Sequence, residues 1–353
     1  MNEVMGSRSG SILWRRYIVG LVFVAGLLVG ALIYFLYPSG MLLQALSTEL
    51  RLGSRNSLIN PLLECEISTG LLNREIISFE SKIKHSLDIA KESKYITDGA
   101  VYFRSLNNGI GFGINEREGF FPASLLKTPL MMAYYKLVES DPNLLTRKLT
   151  FLDSDYPASN RPRQEFPPRE SLRPGKAYTV DDLIRRMIVY SDNSAAVLLS
   201  KNIDLEFLRD TYYRLNVPSD VLDDFDGTIS IRDYSRFFRV LYNASYLTSE
   251  FSERALKLMT AAEFKEGIAA GLPPGIVVAH KFGETSDPKT GQELHECGIV
   301  YYTENPYLLC VMTRGQDTAK LALTIADISR LSYGEVDKQI SVFKKSAGTP
   351  AIN

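Results

Sequence analysis

Phe121-Pro122-Ala123-Ser124-Leu125-Leu126-Lys127 is the stretch on which the fold turns. Pro122 is tolerated at the start of a helix, where its missing N–H would be unpaired anyway. The spacing predicts an apolar helix over 124–138, with Ser124 in its first turn and Lys127 one turn on, on the same face. A serine hydroxyl is a weak nucleophile until a base stands within hydrogen-bond reach. A lysine amine serves as that base when burial and neighbours lower its pKa, and Leu125, Leu126, Pro129, Leu130, Met131 and Met132 supply apolar surroundings. Taken alone, the motif is weak evidence, and a capping serine with a solvated lysine accounts for it better.

Working outward, residues 98–105 and 109–115 read as two strands joined through Asn107-Asn108-Gly109, a hairpin turn. A helix precedes them over 72–92, from Leu72, Ile76, Phe79, Ile83 and Leu87 at helical spacing. Residues 150–177, with five prolines, read as an irregular loop. Helices follow at 180–190, 194–203, 205–215, 230–243 and 250–262, then strands at about 275–282, 295–302 and 307–313, and a closing helix near 317–331. Strands on both sides of a helical block imply one sheet completed from the two ends of the domain, beside an all-helical lobe. Two further groups stand out. Ser191-Asp192-Asn193 lies between two helices, where all three residues also make good caps. His280-Lys281-Phe282-Gly283-Glu284 ends a strand, where the glycine permits close approach and the lysine offers a carboxylate partner.

In this order, the Ser-x-x-Lys, Ser-Asp-Asn and Lys-Phe-Gly groups resemble the Ser-x-x-Lys, Ser-Asp-Asn and Lys-Thr-Gly signature of class A β-lactamases and penicillin-binding proteins. Tyr178-Thr179-Val180-Asp181-Asp182-Leu183, Ile231-Arg232-Asp233 and Gly298-Ile299-Val300-Tyr301 are similar to that family in their settings. The chain thus resembles a membrane-anchored class A β-lactamase-like serine hydrolase over about residues 72–335. The resemblance implies an α/β (α+β) fold with a five-stranded antiparallel sheet flanked by helices. It also implies acyl-enzyme chemistry on a small-molecule or peptide amide. Ser124 would be the acylated nucleophile and Lys127 its base; Ser191 would pass a proton to the leaving nitrogen. Asn193 would bind the substrate amide and position Lys127, and Lys281 and Gly283 would line the substrate site. The backbone N–H groups of Ser124 and Glu284 would form the oxyanion hole.

Two departures stand against this pattern. Phe282 replaces the hydroxyl residue of the third motif, which helps bind the substrate carboxylate. Between about Arg209 and Thr228 no glutamate is present to activate the deacylating water; Tyr212 occupies its place in Tyr212-Tyr213-Arg214-Leu215-Asn216, and Asp220, Asp223, Asp224 and Asp226 follow. These departures admit a D-alanyl-D-alanine peptidase-like hydrolase or a non-catalytic penicillin-binding sensor as alternatives.

The remaining sequence sets the compartment and excludes other classes. Residues 17–37 carry no charge, and a helix of about 21 residues spans roughly 32 Å, the thickness of a bilayer core. Arg8, Arg15 and Arg16 precede it, so the positive-inside rule expects a cytoplasmic tail at 1–16, an anchor at 17–37, a stalk at 38–71, an extracytoplasmic domain at 72–335 and a tail at 336–353. The 40 Lys+Arg against 41 Asp+Glu argue against a nucleic-acid partner. Three histidines and a lone His295-Glu296 pair give no metal-site spacing, and no cofactor is called for. Cys297 and Cys310 fall on adjacent predicted strands and read as buried thiols, with a cross-strand disulfide as the other option.

Overall fold

A computed structural model describes residues 20–22, 24–28, 50–51, 58–60, 62–64, 74–156, 165–222, 227–287, 291–303 and 305–347. The chain divides into two compact units, one of Met1–Thr48 with Glu66–Leu71, the other of Glu49–Cys65 with Leu72–Asn353. In the first, residues 20–22 and 24–28 are helical; most of the expected anchor at 17–37 lies outside the described residues. Among the described residues no helix is long and apolar enough to cross a membrane.

The second unit is built on a five-stranded antiparallel sheet. Its strands are β1 (Asp98–Ser105), β2 (Gly111–Ile114), β3 (Val277–Asp287), β4 (Gly291–Tyr301) and β5 (Tyr307–Gly315), in the spatial order β2-β1-β5-β4-β3. Helix α1 (Arg74–Glu92) and the closing helix α8 (Thr318–Ala347) cover one face. Phe79, Ile83 and Leu87 from α1 and Leu321, Ile325 and Ile328 from α8 pack there with Val101, Phe103, Leu309 and Val311. The alternate residues Ala100, Leu308, Cys310, Met312, Ile299 and Ala279 face the other way, into a larger core with the helical lobe. This period of two explains why β5 reads as an unbroken apolar run: both its faces are buried. The lobe comprises α2 (Lys127–Val138), α3 (Val180–Val189), α4 (Asn193–Lys201), α5 (Leu205–Arg214), α6 (Ile231–Tyr242) and α7 (Ser249–Thr260).

Several expectations are corrected. The 124–138 helix begins instead as a 3-10 turn over Ala123–Leu126, and the α-helix starts at Lys127. Pro129 is accommodated because its N–H would be an unpaired first-turn donor. The β3–β4 hairpin is longer than expected, since Thr285 pairs with Glu293 and Asp287 with Gly291; backbone pairing continues through a polar stretch that reads as loop. The closing helix runs to Ala347, with Asp317 accepting from the N–H groups of Ala319 and Lys320 at its start. Cys297 and Cys310 are direct cross-strand neighbours and are joined as a disulfide, not left as thiols.

Part of the expected stalk packs with the domain. The N–H groups of Leu58 and Ile59 donate to Glu253 at 3.0 and 3.1 Å, Asn60 N–H donates to the Tyr242 carbonyl, and Ile59 is buried.

Candidate active site

The sheet edge formed by β3 runs beside the start of α2 and the α3–α4 junction. Two backbone features shape the meeting point. Ala123 has φ +47° and Ser191 φ +54°, left-handed conformations that are uncommon for residues with a Cβ and typically cost about 1 kcal/mol or more each. The first turns the chain so that Ser124 enters the 3-10 turn, whose Leu125 N–H closes onto the Pro122 carbonyl at 2.9 Å. The second turns Ser191 inward just before α4. Asp192 then caps α4, accepting from Ser194 and Ala195 N–H at 2.8 and 3.2 Å. Capping and site geometry are therefore one arrangement: Asp192 serves the helix, and its neighbours Ser191 and Asn193 are aimed at Lys127.

Lys127 Nζ lies 2.8 Å from Ser124 Oγ, 2.6 Å from the Ser191 carbonyl, 2.7 Å from Asn193 Oδ1 and 3.1 Å from Ser191 Oγ. The Ser191 carbonyl and Asn193 Oδ1 are pure acceptors, and together they fix the amine beside the Ser124 hydroxyl, within the reach that proton transfer requires. Across the site, Lys281 Nζ donates to Ser191 Oγ at 2.9 Å and to the Phe282 carbonyl at 2.8 Å. Ser191 thus bridges two buried amines. Burial first, and then the Lys127 charge, hold the Lys281 amine well below the ordinary lysine range, while Glu284 and Glu296 pull the other way.

Gly283 is required by proximity. A Cβ there would lie 2.8 Å from the Pro122 carbonyl oxygen and 3.0 Å from both Leu125 N and Leu125 Cγ, so only glycine lets β3 approach the serine turn this closely. The five polar residues expected at the site, Ser124, Lys127, Ser191, Asn193 and Lys281, are thereby brought together, with Gly283 and Glu284 on the adjoining strand. The Glu284 side chain turns to accept from the N–H groups of Glu165 and Phe166, both at 3.1 Å; burial raises its pKa, partly offset by those two bonds.

The sequence reading missed a supporting network behind the serine turn. Glu293 accepts from Phe121 N–H at 2.9 Å and from Arg314 Nε at 2.6 Å. His295 Nδ1 accepts from Thr313 N–H, which leaves the proton on Nε2, 3.0 Å from the Phe121 carbonyl and 3.1 Å from Glu293. Burial alone would raise the Glu293 pKa, but the hydrogen bonds from His295 and Arg314 and the Arg314 charge prevail and lower it. Both backbone groups of Phe121 are therefore held, three residues before Ser124. Behind them, Tyr234 donates to the Leu125 carbonyl and bonds Thr128. His295 thus acts in a structural network, and its neighbour Glu296 bonds His280 and the Ile268 N–H. Tyr212, which the resemblance expects at the family's acid position, is fully buried with its ring against Phe237. Asp223, Asp224 and Asp226 lie outside the described residues.

Beside an antiparallel sheet with a helical lobe, a buried serine thus contacts one lysine directly, and a second serine bridges that lysine to another. A model of the β-lactamase enzyme family matches residues 78–336. The chain belongs to that family. No curated protein matches it. Among solved structures, a β-lactamase from Chitinophaga pinensis is 17% identical with a TM-score of 0.63, covering 73% of this chain and 99% of that one. A class A β-lactamase from Mycobacterium abscessus is 21% identical with a TM-score of 0.61, covering 72% and 99%. A mutant of PBP-A, in an acyl-enzyme complex with penicillin-G, is 19% identical with a TM-score of 0.62, covering 74% and 97%. These likenesses establish the fold.

Proposed function

We propose that the protein is an extracytoplasmic active-site-serine hydrolase that opens an amide, a β-lactam or a related bond, through an ester on Ser124. The observation that carries this reading is the contact of Lys127 Nζ with Ser124 Oγ at 2.8 Å, with the amine held in place by the Ser191 carbonyl, Ser191 Oγ and Asn193 Oδ1. Lys127 takes the Ser124 proton as Oγ bonds to the carbonyl carbon. The carbonyl oxygen gains the negative charge, facing the N–H groups of Ser124 and Glu284. As the carbonyl re-forms, the carbon–nitrogen bond breaks, and Ser191 hands its proton to the departing nitrogen while recovering one from Lys127. Water then cleaves the ester, returning the proton to Ser124 and releasing the acid. Asn193 holds Lys127 and the substrate amide, and Gly283 keeps β3 close. The uncharged segment 17–37 and the arginines before it support an anchor with the domain outside the cytoplasm.

Release of the ester is the slow half of this cycle. Tyr212 contributes no carboxylate where class A enzymes carry their water-activating acid, and losing a general base typically slows a step by about 10²–10⁴-fold. This favours a peptidase-like or penicillin-binding role over efficient antibiotic destruction. The test is intact mass of the full chain during incubation with a penicillin, beside Ser124→Ala and Lys127→Met. A long-lived adduct on the parent, none on Ser124→Ala and slow formation on Lys127→Met is the expected pattern. An adduct that persists on Ser124→Ala would sink the proposal.

A further inference from the structure

The space beside Lys281 is filled by aromatic rings from three separate segments. Phe282 lies on β3, Phe264 follows α7, and Phe166 comes from the proline-rich stretch. The Phe264 and Phe282 rings stack with centroids 4.2 Å apart and an interplanar angle of 16°. Phe166 meets both edge-on, at 4.9 and 5.9 Å. Phe282 is 5% exposed, and its ring covers the Lys281 ammonium position at 4.4 Å. Lys281 itself is 1% exposed, and two of its three donor directions end on Ser191 Oγ and the Phe282 carbonyl.

The local charge points the same way. The carboxylate of Glu284 lies two residues along the strand from Phe282, and Glu296 is paired in register with Phe282 on β4. Both act electrostatically on Lys281. The positive potential of this amine is therefore offset in part by two acids, one tied to His280 and the Ile268 N–H, the other to the backbone of residues 165–166. An incoming carboxylate would find the space already filled by buried rings, an amine 1% exposed with two of its donor directions taken, and two like charges nearby. Desolvating an anion without a paired donor is strongly unfavourable, whereas an uncharged group leaves water at much lower cost.

We infer that the leaving-group end of this site, beside Lys281, takes an uncharged group, so that the substrates are amides or esters without a free carboxylate at that position. Phe282, with Phe264 and Phe166, is the specificity-determining element. The inference rests on the acyl-enzyme reading above and adds the substrate class. Within the peptidase-like reading it favours amide bonds inside a longer or capped molecule over those beside a terminal carboxylate.

The test uses penicillin G and its methyl ester, which differ only in that carboxylate, on the full chain. Rates of Ser124 acylation are read by intact mass for the parent and for Phe282→Thr. The parent is expected to be acylated faster by the methyl ester. Phe282→Thr, which removes one ring and adds a hydroxyl donor, is expected to move the acid-to-ester rate ratio by about tenfold toward the acid. If that variant does not fold, the comparison of the two compounds on the parent still decides. Faster acylation of the parent by the acid, with the serine labelled, overturns the inference while leaving the acyl-enzyme reading intact. Absence of a Ser124 adduct from both compounds overturns the acyl-enzyme reading, and the inference falls with it.

Discussion

Lys281 Nζ donates to Ser191 Oγ over 2.9 Å, joining residues 90 positions apart in sequence. Through that hydroxyl the sheet edge is coupled to the helical lobe, because Ser191 also meets Lys127 through both its carbonyl and its Oγ. The site is thus not carried by either half of the domain. It exists only when β3, the start of α2 and the α3–α4 junction are docked, which makes any change in their spacing a change in chemistry.

Gly283 tests that spacing. An added methyl group must displace the Pro122 carbonyl or the Leu125 backbone, both of which belong to the serine turn. Gly283→Ala is expected to destabilise the protein by about 1–3 kcal/mol, as overpacking does, and to slow Ser124 acylation by more than the folded fraction alone explains. Denaturant midpoints alongside acylation rates check this. An Ala variant with parental rates would show that β3 does not set the geometry of the serine turn.

Glu293 tests the support behind the nucleophile. It is buried and answers three donors, Phe121 N–H, His295 Nε2 and Arg314 Nε. Glu293→Ala leaves a buried N–H and a partly buried guanidinium without their acceptor, a loss expected to be about 3 kcal/mol. Because the Glu293 pKa is lowered in the folded state, its contribution is present above the unfolded carboxyl value and fades as pH falls through the folded one. The variant should therefore show a flatter acid limb in urea denaturation than the parent. Equal acid limbs would assign the acid sensitivity to other groups.

Much of this architecture was legible in the sequence, for identifiable reasons. The helices of the lobe carry a strong period of apolar residues, and β5 is long, apolar and rich in strand formers, so pattern alone located them. The three motif groups were legible because their residue types are unusual together. What could not be read was geometry that depends on long-range packing. Glu293 and Arg314 are ordinary charged residues in sequence, and their meeting at Phe121 arises from strand register. Phe166 and Phe264 come from segments with no periodicity, and nothing local announces that they stack on Phe282. The strain at Ala123 was equally silent, since a glycine or asparagine would have flagged a left-handed residue and alanine does not.

Glu284 gives a pH dependence of the opposite sign to Glu293. Burial raises its carboxyl pKa above the ordinary 4.5, with the Glu165 and Phe166 N–H groups offsetting only part of the shift. The folded protein then binds this proton more tightly than the unfolded chain. Stability should fall as pH rises from about 4.5 through the folded value. Glu284→Gln keeps an acceptor for the backbone donors and abolishes the titration. The difference in stability between parent and variant, followed by thermal or urea unfolding from pH 4 upward, is expected to grow in favour of the variant. A difference that does not change with pH would mean the side chain is better solvated than its position implies.

Lys281 separates stability from activity most sharply. Its amine is 1% exposed and is held well below the usual lysine range, first by burial and then by Lys127. The unfolded chain therefore binds this proton over a range of pH in which the folded protein does not, and stability should rise with pH from the folded value toward 10.5. Lys281→Met retains the apolar stem against Phe282 and removes the titrating group. The variant is expected to be at least as stable as the parent near neutral pH, as replacement of a buried charge by an apolar side chain often is, and to lose that alkaline slope. Acylation of Ser124 should nevertheless fall by about 10²-fold or more, since Ser191 loses the donor that orients its hydroxyl and the site loses its second amine. Unfolding midpoints from pH 6 to 10, together with adduct formation rates, measure both effects. A variant that is markedly less stable at every pH would show that the Lys281 hydrogen bonds to Ser191 and the Phe282 carbonyl outweigh the penalty of burying its charge.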